Sequence, residues 1–380
     1  MRREIWGLQC IPCLGAPRGG DGSSAGHNLW IDIKLPVHST STMALLAHIL
    51  PPPLLLLLLL LPYSHAAPCH PQPNATHFIC TEPTLSTFPS GLPPTTVAIS
   101  VEFTAITTIA PNALAGLPHL QELHLSSNHL AVLPEALLQP VPTLRILDLT
   151  DNLLPDLPAA IFHHSIHLQH LVLQGNLLQA LQPTWFVHLT QLHWLNLAGN
   201  ALLEVPPAAL RPLRSLHSLD LAHNHLQHLS ADTFVGLQML ERLDLEGNQL
   251  RALPPTLFIP TPALRLLFLQ SNTLQVLPDG IFSPLLHLRV LDLSHNHLQA
   301  LQLPPRSPGP PLSLDISGNP WACECSLLAL LQDEALQLIA AHDTRCASPA
   351  QHQGEEVAAV SQAGGEGCQH GGGKQRPLDH

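Results

Sequence analysis

The sequence predicts an α/β solenoid, a horseshoe with a parallel β-sheet on its concave face and a disulfide-closed cap at each end. Three observations lead to this prediction. Asparagines recur every 24 residues from Asn128 to Asn296, and Asn319 follows 23 residues later. Leucines precede each asparagine in a fixed frame, and cysteines flank the repeated region on both sides.

The segment from Leu288 to Asn296 shows the frame of one repeat. Leu291 and Leu293 alternate with outward residues, which predicts a short strand with one buried face. The asparagine amide can bond to backbone groups of neighbouring coils where the chain leaves the sheet. A period of this length written L-x-x-L-x-L-x-x-N-x-L is the leucine-rich repeat. We therefore expect residues 96–319 to form a leucine-rich-repeat horseshoe of about nine to ten coils.

The segment after each asparagine should form the convex side. Leu298 and Leu301 return toward the interior, and prolines follow the equivalent leucines in several coils, as at Pro134 and Pro254. Proline disfavours a long helix, so we expect short irregular or 3₁₀ segments here. Because aromatic residues are only 4% of the chain, the core is expected to consist almost wholly of leucine.

Residues 1–66 read as a signal peptide with an upstream extension, removed from the mature protein. Met43 is a plausible start, followed by eight leucines from Leu54 to Leu61 and a small-residue site ending at Ala66. As a membrane anchor the leucine run is too short, because eight helical residues rise about 12 Å against a bilayer core of about 30 Å. We therefore expect a secreted, extracellular protein without a membrane anchor.

Secretion makes disulfides the expected state of the cysteines. Cys69 and Cys80 should close an N-terminal cap at residues 67–95. Between them, Asn74 opens an Asn-Ala-Thr sequon and is a candidate glycosylation site.

The C-terminal cysteine-rich cap is predicted at residues 320–368. A helix is expected from Leu327 to Ala341, with its apolar face over the last coil. The cap contains four cysteines, Cys323, Cys325, Cys346 and Cys368. From sequence alone, four cysteines allow three pairings. The glycine-rich tail, residues 369–380, is expected to be disordered.

Composition and spacing exclude several functions. The chain has 15 Lys plus Arg against 27 Asp plus Glu, so no basic stripe could meet nucleic-acid phosphates. No serine or cysteine nucleophile lies beside a base in an insertion, which argues against an enzyme and leaves no role for a cofactor. His223 and His225 could ligate a metal, but surface histidines in a chain with 26 histidines are the favoured interpretation, so no metal is predicted.

A partner is expected on the concave face, where the outward strand residues are rich in acids. The neutral alternative is that aspartate in an L-x-L-D-L frame serves solubility alone. The functional alternative is an acidic strip for a basic protein, with Trp194 and Phe268 as aromatic anchors. Trp185 and Trp321 are instead expected in the core and cap. The candidate binding residues are Glu122, His124, Asp148, Trp194, Asn196, Asp220, Arg242, Asp244, Phe268, Asp292 and Asp315.

Several segments resemble the secreted plasma glycoproteins of the leucine-rich-repeat family: residues 120–128, 140–149, 240–248, 315–321 and 343–346. The resemblance implies a non-enzymatic, monomeric binding protein that acts in transforming growth factor beta signalling and angiogenesis. It implies endoglin or the transforming growth factor beta receptors, and cytochrome c, as partners.

The same resemblance implies the cap pairings Cys323 with Cys346 and Cys325 with Cys368. The chain departs from the family in having a single sequon and a second cap bridge.

The alternative function is a structural role in the extracellular matrix, as in small leucine-rich proteoglycans. These proteins have an N-terminal cluster of four cysteines, of which only Cys69 and Cys80 have counterparts here. A membrane receptor ectodomain is the third option.

Overall fold

The computed structural model describes residues 69, 74–304 and 309–363. The predicted signal peptide, Cys368 and the C-terminal tail lie outside these residues. Within the described residues, no helix is both long and apolar enough to cross a membrane.

One parallel sheet of twelve strands runs through the repeats, and ten of its strands fall within residues 96–319. Successive strands pair in parallel with their chain neighbours. The predicted solenoid of parallel strands is confirmed. The first eleven strands are β1 (His77–Cys80), β2 (Ala98–Val101), β3 (Glu122–His124), β4 (Ile146–Asp148), β5 (His170–Val172), β6 (Trp194–Asn196), β7 (Ser218–Asp220), β8 (Arg242–Asp244), β9 (Leu266–Phe268), β10 (Val290–Asp292) and β11 (Leu312–Asp315).

Each strand is short because only its central residue needs to face the core. In β4, Leu147 is buried while Ile146 and Asp148 are half-buried on the other face. The pairing Leu147 to Leu171 continues the same column into β5. The alternation read from the sequence therefore sets which side chains face the concave surface.

The asparagine column connects neighbouring coils. The Asn200 Nδ2 donates to the carbonyl of Leu173 in the preceding coil at 2.9 Å and to Leu197 in its own coil at 3.0 Å. Its Oδ1 accepts the backbone N–H of Leu178 at 3.1 Å. Thr104 occupies the asparagine position of the first, degenerate coil, and its hydroxyl donates to Asn128 Oδ1.

The convex side consists of turns, with one 3₁₀ helix at Pro183–Phe186, as the prolines predict. Its interior holds a column of phenylalanines that the sequence reading missed. The rings of Phe234 and Phe258 stack at 6.5 Å, and those of Phe258 and Phe282 at 6.2 Å. Trp185, also buried, lies in the same region. The core is mostly leucine, as expected, but five of the eight equivalent convex positions hold a buried phenylalanine. These are Phe162, Phe186, Phe234, Phe258 and Phe282, whereas Leu114, Leu138 and Leu210 hold the other three.

The residue before each asparagine has a left-handed backbone. His223 and His295 have φ of 53° and 52°, and Gly247 and Gly318 have φ of 65° and 67°. The histidine side chain of one coil lies over the glycine of the next: a Cβ on Gly247 would be 2.3 Å from Nδ1 of His223. The backbone of this turn therefore accepts glycine without strain.

The N-terminal cap adds one strand to the sheet. The strand β1 pairs with β2, and the Cys69–Cys80 disulfide joins its end to the preceding segment, with Cα atoms 5.3 Å apart. Phe78 is buried against the first coil. Asn74 is exposed, as a glycan acceptor requires.

The C-terminal cap differs from the predicted helical run. The helix α1 covers only Cys325–Leu330, and Leu336–Ile339 instead forms β12, the last strand of the parallel sheet. Leu336 and Leu338 alternate with more exposed residues, so they fit a strand packed on the final coil better than a helix face. The helix predicted from Leu327 to Ala341 is therefore wrong over its second half.

Two further strands, β13 (Trp321–Ala322) and β14 (Cys346–Ser348), and the helix α2 (Val357–Gln362) complete the cap. The Cys323–Cys346 disulfide is present, with Cα atoms 5.6 Å apart. Cys325 is also in a disulfide. Its predicted partner, Cys368, lies outside the described residues.

Candidate binding surface on the concave face

The structure places all eleven candidate residues on the concave strands, β3 to β11. Most are half-buried, because neighbouring strands crowd them on both sides, and Asn196 and Asp244 are buried. We call the carboxylates of Asp148, Asp220, Asp244, Asp292 and Asp315 the aspartate column. They come from five strands of one parallel sheet and share one row across it. Val172 and Asn196 separate Asp148 from Asp220 in this row, and Phe268 separates Asp244 from Asp292.

Each member of the aspartate column also has a local structural role. The Oδ1 of Asp220 accepts the backbone N–H of Ala222 at 3.0 Å, where the strand ends. The same contact recurs in the other four coils. Asn196 makes it too, donated by the N–H of Ala198 at 2.9 Å. An amide thus replaces the carboxylate in this hydrogen bond, so the bond does not require the negative charge.

Burial disfavours the charge at three of these positions. Burial raises the pKa of Asp220 and of Asp292, and it raises the pKa of Asp244 with a further contribution from the charge of Asp220. Hydrogen bonds from backbone N–H groups and the Arg242 charge oppose the shift at Asp220 and Asp244 without cancelling it. Ionisation of Asp220, Asp244 and Asp292 therefore opposes folding, whereas the neighbouring His124 and hydrogen bonds from Thr150 lower the pKa of Asp148 despite its burial.

We expect the double variant Asp220→Asn and Asp244→Asn to unfold at a higher temperature at pH 7, by about 1 to 3 °C. A raised folded-state pKa gives stability that is complete below the unfolded-state value of 3.8 and is lost as pH rises through the folded-state value. Asp220 and Asp244 should therefore contribute less stability as pH rises from 3.8 toward neutrality, and the variant should lack this loss. Thermal unfolding followed by circular dichroism across this range measures both effects.

The exposed variant Asp279→Asn is the matched control, since it removes one carboxylate outside the concave face. If the control changes the unfolding temperature equally, or if the double variant unfolds at a lower temperature at pH 7, the charges of Asp220 and Asp244 do not destabilise the fold.

Arg242 bridges acidic and aromatic groups on the concave face. Its Nη2 donates to the Asp244 carboxylate at 2.6 Å, and its guanidinium lies 4.4 Å from the centre of the Phe268 ring. The sequence alone presented it as an isolated basic residue in an acidic strip. Because planar guanidinium groups favour both contacts, Arg242 orders Phe268 and Asp244 into one unit.

Trp194 is the most exposed aromatic ring of the concave face. Its side chain is 39% exposed and stacks on His170, with ring centres 6.2 Å apart. Burial lowers the pKa of His170, with a further contribution from His193. An exposed, laterally supported indole is the kind of group that anchors protein interfaces.

A second cluster lies at the N-terminal end of the concave face. His124 Nδ1 is 3.9 Å from the Asp148 Oδ2, and its Nε2 is 3.8 Å from the Glu122 Oε2. The neighbouring Asp148 carboxylate raises the pKa of His124, and its effect outweighs that of burial. Glu102 completes the cluster, although the candidate set did not include it. It lies two residues before the ladder position of the degenerate coil, in the column beside the one that holds His124 and Asp148.

The histidines considered for a metal do not form a ligand group. His223 is exposed and lies 4.0 Å from Glu246. Among the described residues, the only grouping of three or more potential ligands is Glu102, His124 and Asp148.

An open cleft lies away from the strands. It has a volume of about 600 Å³ and is lined by segments that follow the asparagines, including Gln275, Leu277, His297 and Leu301. None of the candidate binding residues lines it, so a partner of the concave face meets an open surface.

The leucine rich repeat family model matches residues 142–202, 192–250, 214–274 and 262–303, and a second repeat model matches residues 116–131. Two snake proteins share one segment of the chain. Phospholipase A2 inhibitor beta of Elaphe climacophora is 50% identical over 74 residues, which is 19% of this chain and 22% of the inhibitor. The phospholipase A2 inhibitor of Gloydius brevicaudus siniticus is 49% identical over 74 residues, which is again 19% of this chain and 22% of the inhibitor. The match thus spans about a fifth of each relative.

Solved structures share the fold over most of the chain. A chain of the octameric complex of latrophilin 3, Unc5D and the leucine-rich repeats of FLRT2 has a TM-score of 0.57 and 25% identity, covering 72% of this chain and 77% of that one. A leucine-rich-repeat protein of Leptospira interrogans has a TM-score of 0.57 at 24% identity, covering 72% and 79%. Such proteins are typically binding scaffolds without enzymatic activity. The family models match residues 116–131 and 142–303, and the fold of the described residues is that of a leucine-rich-repeat horseshoe.

Proposed function

We propose that this protein is a secreted, non-enzymatic glycoprotein that binds a basic protein partner on its concave face. The aspartate column is the observation that supports the proposal most strongly. Asparagine makes the same strand-end hydrogen bond, as Asn196 does, yet the chain keeps ionisable groups at Asp220, Asp244 and Asp292, where burial disfavours their charge. A positively charged partner surface would compensate for this cost.

The aromatic groups supply the apolar part of such an interface. Trp194 and the Arg242–Phe268 pair lie on strands β6, β8 and β9, which surround the strand that bears Asp220. Central aromatic residues with charged groups around them are typical of interface hot spots.

The finer proposal follows the family resemblance. Leucine-rich alpha-2-glycoprotein is the member that the quoted segments resemble, so we propose a role in transforming growth factor beta signalling, angiogenesis and inflammation. Endoglin or the transforming growth factor beta receptors, and cytochrome c, are the proposed partners. Cytochrome c is strongly basic, which suits the aspartate column. Asn74 is the proposed glycan site, supported by its exposure.

The test is binding of the purified protein to cytochrome c and to endoglin at two salt concentrations. The variant replaces four residues with asparagine: Asp220, Asp244, Asp292 and Asp315. Because the strand-end hydrogen bonds are kept, the variant should fold normally while its affinity falls about 100-fold at low salt, since exposed charge pairs depend on salt. Asp279→Asn is the control for a loss of charge elsewhere.

If the four-residue variant binds every partner as tightly as the native protein does, the concave face is not the binding surface. Binding of neither protein would exclude the partners implied by the resemblance and would favour the matrix alternative, which a collagen-binding assay then tests.

Phospholipase A2 is a second candidate partner. The two snake relatives are named as its inhibitors, and they share about half of their residues with this chain over 74 positions. A secreted phospholipase A2 of basic charge belongs in the same binding series. Inhibition of its activity at stoichiometric concentration, lost in the four-residue variant, would favour this function over the signalling role.

A further inference from the structure

Three adjacent strands bring nitrogen and oxygen ligands together at the N-terminal end of the concave face. The potential ligand atoms of Glu102, His124 and Asp148 all lie within 4.8 Å of one another. They come from successive coils, so the sheet itself sets their spacing. All three residues are half-buried and accessible from the concave side.

The distances suit a shared metal ion better than direct hydrogen bonds. His124 Nδ1 and Asp148 Oδ2 are 3.9 Å apart, which is too far for a hydrogen bond. Zinc binds imidazole nitrogen and carboxylate oxygen at about 2.0 to 2.2 Å, so two ligands of one ion lie roughly 3.2 to 4 Å apart. Small side-chain rotations would place one ion between these three residues.

Neighbouring groups already orient each ligand. The hydroxyls of Ser100 and Ser126 donate to the two oxygens of Glu102 at 2.6 and 2.7 Å. Thr150 donates through its hydroxyl and its backbone N–H to Asp148 Oδ1, which leaves Oδ2 directed at His124.

On the other edge of the imidazole, Glu122 Oε2 lies 3.8 Å from Nε2 of His124. This distance is also too long for a hydrogen bond, but a small rotation would bring Glu122 to the second histidine nitrogen. A carboxylate there is the usual outer support of a zinc-bound imidazole, since it fixes the tautomer and the ring orientation. Among the described residues, no ion pair joins any of these carboxylates to lysine or arginine. A divalent cation would therefore offset two of the three carboxylate charges around one imidazole.

We propose that Glu102, His124 and Asp148 bind one Zn²⁺ ion, with Glu122 supporting the histidine and the remaining coordination position open to solvent. The imidazole selects zinc over calcium, which takes oxygen ligands only. Asp148 belongs to the aspartate column but is unchanged in the four-residue variant, so each proposal can fail without the other.

The test is calorimetric titration of the purified, chelator-treated protein with ZnCl₂ and, separately, with CaCl₂. We expect one zinc site with micromolar affinity and no comparable calcium binding. His124→Gln and Asp148→Asn should each weaken that site at least tenfold, as loss of a ligand does. Asp148→Asn keeps the acceptor for Thr150, so the turn should stay folded, and circular dichroism checks this.

His223→Gln is the matched control, because it removes an exposed histidine from the same protein. Cobalt titration adds a spectroscopic readout, since ligand-bound Co²⁺ absorbs in the visible range and this signal should disappear in His124→Gln. Zinc affinity that is unchanged in His124→Gln, or reduced equally in His223→Gln, would overturn the proposal and assign the binding to scattered surface histidines.

Discussion

An Asn224→Ala variant should lose about 3 kcal/mol of unfolding free energy. Asn224 Nδ2 donates to the carbonyls of Leu197 and Leu221 at 3.0 and 3.1 Å, and its Oδ1 accepts the N–H of Leu202 at 3.1 Å. Leu202 would keep a buried N–H without this acceptor, at a cost of about 1 to 3 kcal/mol, and each other lost bond adds about 0.5 to 1.5 kcal/mol. The effect is large because one side chain joins two coils.

Urea unfolding followed by circular dichroism measures this loss. Asn224→Asp keeps the acceptor for Leu202 but turns a carboxylate toward the two carbonyl oxygens, so it should be no more stable than the alanine variant at pH 7. Gln227→Ala changes an exposed residue of the same coil and should have little effect. A loss below about 1 kcal/mol in Asn224→Ala would contradict the ladder as a main source of stability.

The second large effect is expected at Trp321, where the C-terminal cap meets the last coil. The indole is fully buried, and its Nε1 donates to the carbonyl of Ile316 at 2.7 Å. Removing a buried indole leaves a cavity and costs about 3 to 5 kcal/mol. In Trp321→Ala the cap should separate from the solenoid at lower urea concentration than the repeats unfold.

Trp194→Ala is the matched control, because it is the same substitution at an exposed ring. It should change stability by less than about 1 kcal/mol. Protease cleavage within residues 320–363 offers an independent measurement, since a loosened cap becomes accessible. Equal destabilisation in the two variants would mean that Trp321 does not hold the cap.

The sequence predicted the sheet, the ladder and the aspartate column because each depends on a fixed period. The interval of 24 residues places Leu147 over Leu171 and Asn152 over Asn176, without any knowledge of tertiary contacts. The buried Trp321 followed from its place beside the cap cysteines.

Features that depend on contacts across irregular segments were not predictable in the same way. The apolar residues Leu336 and Leu338 fit either a helix or a strand, and only the edge of β11 decides between them. The cluster of Glu102, His124 and Asp148 joins two columns of the repeat, so neither column alone shows it. The raised pKa values of Asp220 and Asp244 depend on burial, which cannot be read from the repeat pattern.

The left-handed residue before each asparagine couples sequence change in one coil to sequence change in the next. A side chain at Gly318 would bring its Cβ to 2.5 Å from Nδ1 of His295, and one at Gly175 would come as close to the Asp151 carboxylate. A long side chain in this column is therefore followed by glycine, whereas Ser127 and Ser271 are followed by larger residues. Among homologous chains, the residues at this position in adjacent coils should covary. A large side chain in one coil should be accompanied by glycine in the next coil toward the C-terminus, and not in the coil before it.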